Sequence, residues 1–189
     1  MKLILASGSP RRRELLEGLN VDFEVRVIKG IAESYPKDLP AKEVPVFISQ
    51  EKASAYSLTD DEILLTADTV VVVDGNILGK PKDDDDAHRM LRTLSGRTHQ
   101  VVTGVSITTC NAQKSFAVTT EVTFKELSKE EIDYYISHFH PLDKAGAYGI
   151  QEWIGYVGVT GIRGSYFNVM GLPVQRIYEE LRSLGIHLN

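Results

Sequence analysis

Seven residues near the start, Ser7-Gly8-Ser9-Pro10-Arg11-Arg12-Arg13, combine the parts of an anion site. Ser9 stands where an N-cap belongs and Pro10 at the first helical position. A helix start carries about half a positive charge, so three arginines in its first turn call for an anion to offset them. Backbone N–H groups at the same end suit a phosphate. At about 100° per residue, Arg12 falls near the centre of the direction set by Leu15, Leu16 and Leu19. Arg11 then flanks the same crevice and Arg13 faces solvent. The competing reading is a solvated basic turn.

Asp68 is the second group with chemistry in it. Leu64-Leu65-Thr66-Ala67-Asp68-Thr69-Val70-Val71-Val72-Val73 reads as an interior strand with a carboxylate at its middle. An unpaired carboxylate in such a place is costly, so a metal, a cationic partner or a catalytic role is expected. Lys52 shares an apolar helical stripe with Ile48, Ala55 and Tyr56, where it either joins such a site or extends to water along its stem. Lys80 lies in the rigid turn Gly79-Lys80-Pro81, where solvation is the ordinary outcome. Arg97 and His99 stand between a helix and a strand and could hold phosphates. Gln151 closes a run of small residues beginning at Asp143 that permits close approach to a ligand, and its amide can both donate to and accept from a base edge. Glu33 sits in a polar loop, solvated by default. Asp83-Asp84-Asp85-Asp86 resembles a metal cluster, but acids in a first helical turn are explained by capping and the helix dipole.

These residues need elements to hold them. Lys2 to Ala6 reads as a buried strand, followed by the arginine-bearing helix ending near Gly18 and Asn20. Val21 to Ile28 alternates like a strand, and Gly30 to Ala41 reads as a polar loop. A helix is expected from Pro45 to about Ser57, a strand from Ile63 to Val73, and a hairpin turn at Asp74-Gly75-Asn76. Ala87, Met90, Leu91 and Leu94 predict a helix over roughly Asp84 to Leu94. Strands follow near His99 to Thr109 and Lys114 to Leu127. Ser128 with Glu131 forms a capping box for a helix from Lys129 to about Ser137. Pro173 opens a last helix, after a Gly-rich stretch from Gly146 to Gly171. Hairpins among these strands predict an α/β protein with a mixed sheet.

The chain has 189 residues with 42% hydrophobic and 25% charged residues, an ordinary globular composition. Its 21 basic and 26 acidic residues give a net charge of -5, which argues against a broad nucleic-acid-binding face. Cys110 is the one cysteine, so neither an internal disulfide nor a cysteine-built zinc site can form. The apolar run from Ile63 to Val73 is too short to span a bilayer and Leu3 to Ala6 too short for a signal peptide, so a cytoplasmic protein is expected. Neither a phosphate-loop motif ending in Gly-Lys-Ser/Thr nor a Gly-x-Ser-x-Gly elbow occurs.

Seven blocks together resemble the Maf family of nucleoside triphosphate pyrophosphatases. They are Ala6 to Arg12, Glu51-Lys52-Ala53, Ala67 to Val71, Gly79-Lys80-Pro81, Ser95 to His99, Asp143 to Gln151, and Gly164 to Pro173. In order and spacing they cover nearly the whole chain, so residues 1–189 are expected to form a single domain of this kind. The resemblance implies a fold similar to the inosine triphosphate pyrophosphatases, a mixed sheet flanked by helices with two lobes around a deep cleft. It implies hydrolysis of a nucleoside triphosphate to monophosphate and pyrophosphate with a divalent cation, Mg²⁺ or Mn²⁺. On matching positions, the proton acceptor would be Asp68, the phosphate-binding groups Ser7, Arg12, Lys52 and Lys80, and a metal site Asp68 with Glu33. Base selection would fall to Arg11, Thr69 and Gln151, a set similar to that of the branch acting on dTTP, UTP and some modified pyrimidine triphosphates. Lys29-Gly30-Ile31-Ala32 departs from the family, whose members often carry further acids before the position of Glu33. A homodimer is a family-level expectation. The alternative function is a nucleotide-binding regulator of cell division and septum formation with little turnover.

Overall fold

Local chemistry decides most of the elements. The computed structural model describes residues 1–186. Strand β1 (Lys2–Leu5) leads through the Ser-Gly-Ser turn into helix α1 (Pro10–Glu17), with the Ser9 side chain accepting from the Arg12 N–H as the N-cap. Strand β2 (Phe23–Val25) is shorter than the alternation from Val21 to Ile28 predicts. It pairs in parallel with β1 over three positions, and Val27 and Ile28 beyond it are exposed. Helix α2 (Val44–Ser54) follows the polar loop. Strand β3 (Glu62–Val73) is buried along almost its whole length and pairs in parallel with β1, Leu3 opposite Ile63 and Leu5 opposite Leu65.

The expected hairpin joins β3 to β4 (Asn76–Leu78), antiparallel, with Val73 opposite Asn76. Asp74 and Gly75 both have positive φ, 50° and 76°, as a tight hairpin matching the strands' twist requires. Helix α3 (Asp84–Leu94) buries Ala87, Met90, Leu91 and Leu94, the predicted stripe. Strands β5 (Thr98–Thr108) and β6 (Gln113–Phe124) come next, then α4 (Lys129–Phe139) with its Ser128–Glu131 capping box. The Gly-rich stretch holds more structure than its composition suggests: α5 (Trp153–Gly158), β7 (Val159–Arg163) and α6 (Tyr166–Met170). Helix α7 (Val174–Ser183) follows Pro173. The sheet runs β2-β1-β3-β5-β6-β7, with β4 on β3 and β7 antiparallel to β6. It is the mixed sheet that the sequence predicts.

The described chain divides into two units. The first contains residues 1–68, 103–118 and the C-terminal segment from Gly171, and the second contains residues 69–102 and 119–170. In the first, Ile4 and Leu64 of adjacent strands pack with Ala53 of α2, and Tyr56 and Leu58 close the cluster. In the second, α3 packs against α4, and the core joins Leu91 and Leu94 to Phe124, Ile132, Tyr135 and Tyr148.

Candidate active site

In the first unit the sequence's charged residues meet near the middle of β3, where Asp68 is half-buried. The Arg12 guanidinium is fixed by two backbone carbonyls, its Nε donating to Gly171 O at 2.8 Å and its Nη1 to Ala67 O at 2.9 Å. The second anchor sets it beside the residue preceding Asp68. Burial pulls the Arg12 pKa down; the charges of Asp68 and Glu33 push it up and that of Arg11 lowers it further. An arginine remains cationic under such opposition. Arg11, Arg12, Glu33 and Asp68 therefore share one electrostatic neighbourhood. Arg13 instead pairs with Glu17 at 2.9 Å in solvent, as the helical wheel predicts.

Lys52 is the centre of this neighbourhood. Its Nζ donates to Asp68 Oδ1 at 2.9 Å and pairs with Glu33 Oε1 at 2.8 Å. With 15% of its side chain exposed, Lys52 does not extend to water; the apolar stripe of α2 leads it to the carboxylate of β3. Asp68 is equally shielded at 13%, whereas Glu33 reaches in from the exposed loop at 51%. The interior carboxylate thus has the cationic partner its burial demands. Ser7 lies two residues before the α1 cap, its Oγ accepting from Ser9 N at 3.3 Å.

Lys80, Thr69 and Gln151 belong to the second unit. Thr69 follows Asp68 directly on β3 and is half-buried. Lys80 is exposed in its turn, and that turn is tied to the Gly-rich loop by Gly146 N donating to Gly79 O at 3.0 Å. Gly146 has φ +70° and a Cβ there would meet Val71 Cγ2 at 2.9 Å, so a side chain is doubly excluded. The loop bearing Gln151 is held from beneath. Buried Lys144 pairs with Asp143 at 2.8 Å and Glu152 at 3.0 Å. Tyr135 donates its hydroxyl proton to Glu152 and accepts from Gly149 N at 2.9 Å. Burial, with the Glu152 carboxylate, pushes the Tyr135 hydroxyl pKa upward, so it keeps that proton. The Gln151 side-chain oxygen is buried and has no hydrogen-bond partner among the described residues. An amide oxygen left so can accept a hydrogen bond from a donor brought to it.

Two sequence readings change. His99 is 1% exposed, edge-on to Phe124 and Tyr148, with Nε2 bonded to Tyr148 Oη at 2.6 Å. Burial depresses its pKa to about 4, so it is neutral and packed rather than available to phosphate. Arg97, between α3 and β5, pairs with Asp74 in the turn joining β3 to β4. The Asp83–Asp86 run behaves as capping chemistry: Asp83 accepts from Asp86 N and Asp86 pairs with Arg89. No group of three or more metal-ligating side chains occurs among the described residues. The bracing residues Tyr135, Lys144 and Glu152 were not singled out from sequence, because a buried ion pair leaves no periodic signature. The one available signal was a lysine and a glutamate flanking a run of small residues.

The chain has close matches among known proteins over nearly its whole length. The chain is 62% identical over 185 residues to the dTTP/UTP pyrophosphatase of Phocaeicola vulgatus, covering 97% of this chain and 96% of that one. It is 53% identical over 188 residues to the dTTP/UTP pyrophosphatase of Porphyromonas gingivalis, covering 97% and 94%. Among solved structures, a HAM1 protein from Coxiella burnetii shares the fold with a TM-score of 0.53 at 14% identity, over 97% of this chain and 99% of that chain. The family model described as Maf-like protein matches residues 2–184, and the chain belongs to that family.

Proposed function

We propose that residues 1–189 form one catalytic domain that hydrolyses dTTP and UTP, and modified pyrimidine triphosphates, to the monophosphate and pyrophosphate. The observation carrying this reading is Lys52 held between Asp68 and Glu33 beside the carbonyl-anchored Arg12. Naming of the 62%-identical relative as a dTTP/UTP pyrophosphatase supports the choice of substrate.

Two carboxylates converging on one point, with no third protein ligand among the described residues, suit a hard cation that arrives with its nucleotide. Mg²⁺ typically takes one or two carboxylates and fills its remaining positions with phosphate oxygens and water, and Mn²⁺ accepts the same donors. Asp68 and Glu33 would hold it; when bound, it draws negative charge from the phosphate oxygens. Arg12, Lys52 and Lys80 offset the triphosphate's charge, and Ser7 together with the start of α1 offers hydrogen bonds to its oxygens. Asp68 accepts a proton as water forms a bond to the α-phosphorus. The bond from that phosphorus to the bridging oxygen breaks, and pyrophosphate leaves with the electron pair. No covalent enzyme intermediate is needed, since positioning and charge carry the rate. Arg11, Thr69 and Gln151 select the base, the Gln151 amide pairing with the edge of thymine or uracil. The enzyme acts on the cytoplasmic nucleotide pool; no helix among the described residues is long and apolar enough to cross a membrane.

A panel of nucleoside triphosphates, scored separately for monophosphate, pyrophosphate and orthophosphate, tests this. Pyrophosphate with dTMP or UMP is expected, lost on chelation and restored by Mg²⁺ or Mn²⁺. The Gln151→Glu variant should lose pyrimidine substrates selectively, since the amide donor is gone. Orthophosphate as the sole product would make the protein a phosphatase. Tight binding without turnover would make it a regulator instead.

A further inference from the structure

The Lys52–Asp68 pair joins a helix to a strand, so its geometry depends on how α2 seats on the sheet. Four contacts define that seat. Gly104 of β5 lies directly under the start of α2: a Cβ there would sit 2.2 Å from both Pro45 C and Val46 N. One turn along the helix, Ser49 Oγ lies 2.7 Å from Ser106 Oγ, and Ser106 is two residues beyond Gly104, hence on the same strand face. Thr66 Oγ1 donates to the Ser49 carbonyl at 2.7 Å. Thr66 and Asp68 are two apart on β3, and Ser49 and Lys52 three apart on α2, so the fourth contact, Lys52 to Asp68, is the next one on the same pair of faces.

The hydroxyls form an ordered relay. Ser49 spends its single proton on Val46 O at 2.7 Å, so Ser106 must donate to Ser49, and Ser115 in turn donates to Ser106 at 2.8 Å. Thr66, Ser49 and Ser106 are fully buried, so the bonds from Thr66 to Ser49 and between Ser49 and Ser106 are made away from water, while Ser115 at the end of the relay is half-buried. An apolar interface would hold α2 by shape alone and would let it slide; this one sets its register.

We propose that Thr66, Ser49 and Ser106, with the bare backbone at Gly104, are positioning residues that register α2 on β3 and β5 and thereby hold Lys52 against Asp68. The proposal rests on the reading of those two residues as part of the active site, and its test separates the two. Acetylation of Lys52 under limiting acetic anhydride, measured by peptide mass spectrometry relative to exposed Lys29, reports the pairing without any turnover. Thr66→Val keeps the shape and removes the hydroxyl; Thr66→Ser keeps the hydroxyl. Labelling of Lys52 should rise about fivefold in Thr66→Val and return to the wild-type value in Thr66→Ser. In the same preparations kcat for dTTP should fall about tenfold in Thr66→Val with KM within twofold, and recover in Thr66→Ser. Unchanged Lys52 labelling in folded Thr66→Val overturns the proposal. Raised labelling with undiminished kcat upholds the registering role and strikes the catalytic reading of Lys52 instead. Should Thr66→Val fail to fold, Ser106→Ala is read by the same two measurements with the same criteria.

Discussion

At the scale of single residues, the site reduces to a carboxylate that its strand alone cannot shelter. Asp68 is stabilised by Lys52 at 2.9 Å and by the nearby charge of Arg12. On the proposed mechanism its ionised oxygen takes a proton from water, so Asp68→Asn should lower kcat by 10²- to 10⁴-fold, the usual worth of a general base. Nucleotide affinity, measured by calorimetry with Mg²⁺ present, should stay within a few-fold because the phosphate-binding cations remain. Turnover near the wild-type rate in that variant would remove Asp68 from the mechanism. Arg12 and Asp68 were legible in the sequence because each violates a local rule, a cation at a helix start and an acid inside an apolar run. Lys52 was half-legible: its position on an apolar stripe marked it, but solvent was an equal destination. The pairing of Glu33 was invisible, because a loop glutamate has no period to break.

At the scale of elements, punctuation was more legible than packing. Ser9 and Pro10 start α1, Ser128 and Glu131 cap α4, and Asp74-Gly75 turns β3 into β4, each where side-chain chemistry demands it. β7 escaped notice because Val159-Thr160-Gly161-Ile162-Arg163 shows little alternation; its last four residues are all exposed and it is held by pairing to β6. Close approach was also unreadable: nothing around Gly104 announces that α2 touches backbone there. Gly104→Ala should therefore cost about 3 kcal/mol, the upper end for overpacking, because the neighbour at 2.2 Å is main chain and cannot rotate away. The few tenths to 1 kcal/mol that alanine gains in the unfolded chain do not offset this. Urea unfolding measures it, and a wild-type midpoint would mean that α2 can shift without cost.

For the whole molecule, acid stability has an identifiable source in His99. Its pKa, about 4 in the folded chain, lies below the value near 6.5 of an unfolded histidine. The unfolded state therefore binds the extra proton first as pH falls. Stability from keeping His99 neutral is complete above pH 6.5, declines between 6.5 and about 4, and is exhausted below, a loss of about 3 kcal/mol. Urea midpoints followed from pH 7.5 to 4.5 should fall in the wild type and fall distinctly less in His99→Gln, which has nothing to titrate there. Parallel curves for the two proteins would exclude the histidine as the source. The mixed sheet was within reach of the sequence because hairpin turns forbid an all-parallel arrangement. Its strand order was not, because order depends on pairings such as β1 with β3, separated by some sixty residues that carry no mark of the partnership.

Lys52 held by two acids has a last implication. Asp68 and Glu33 already occupy the ammonium that a phosphate would seek, so bare pyrophosphate meets an intramolecular competitor of its own sign. On the proposed reading, the departing product is helped out as the carboxylates reclaim their lysine, and inhibition by pyrophosphate stays weak unless a divalent ion first draws the acids aside.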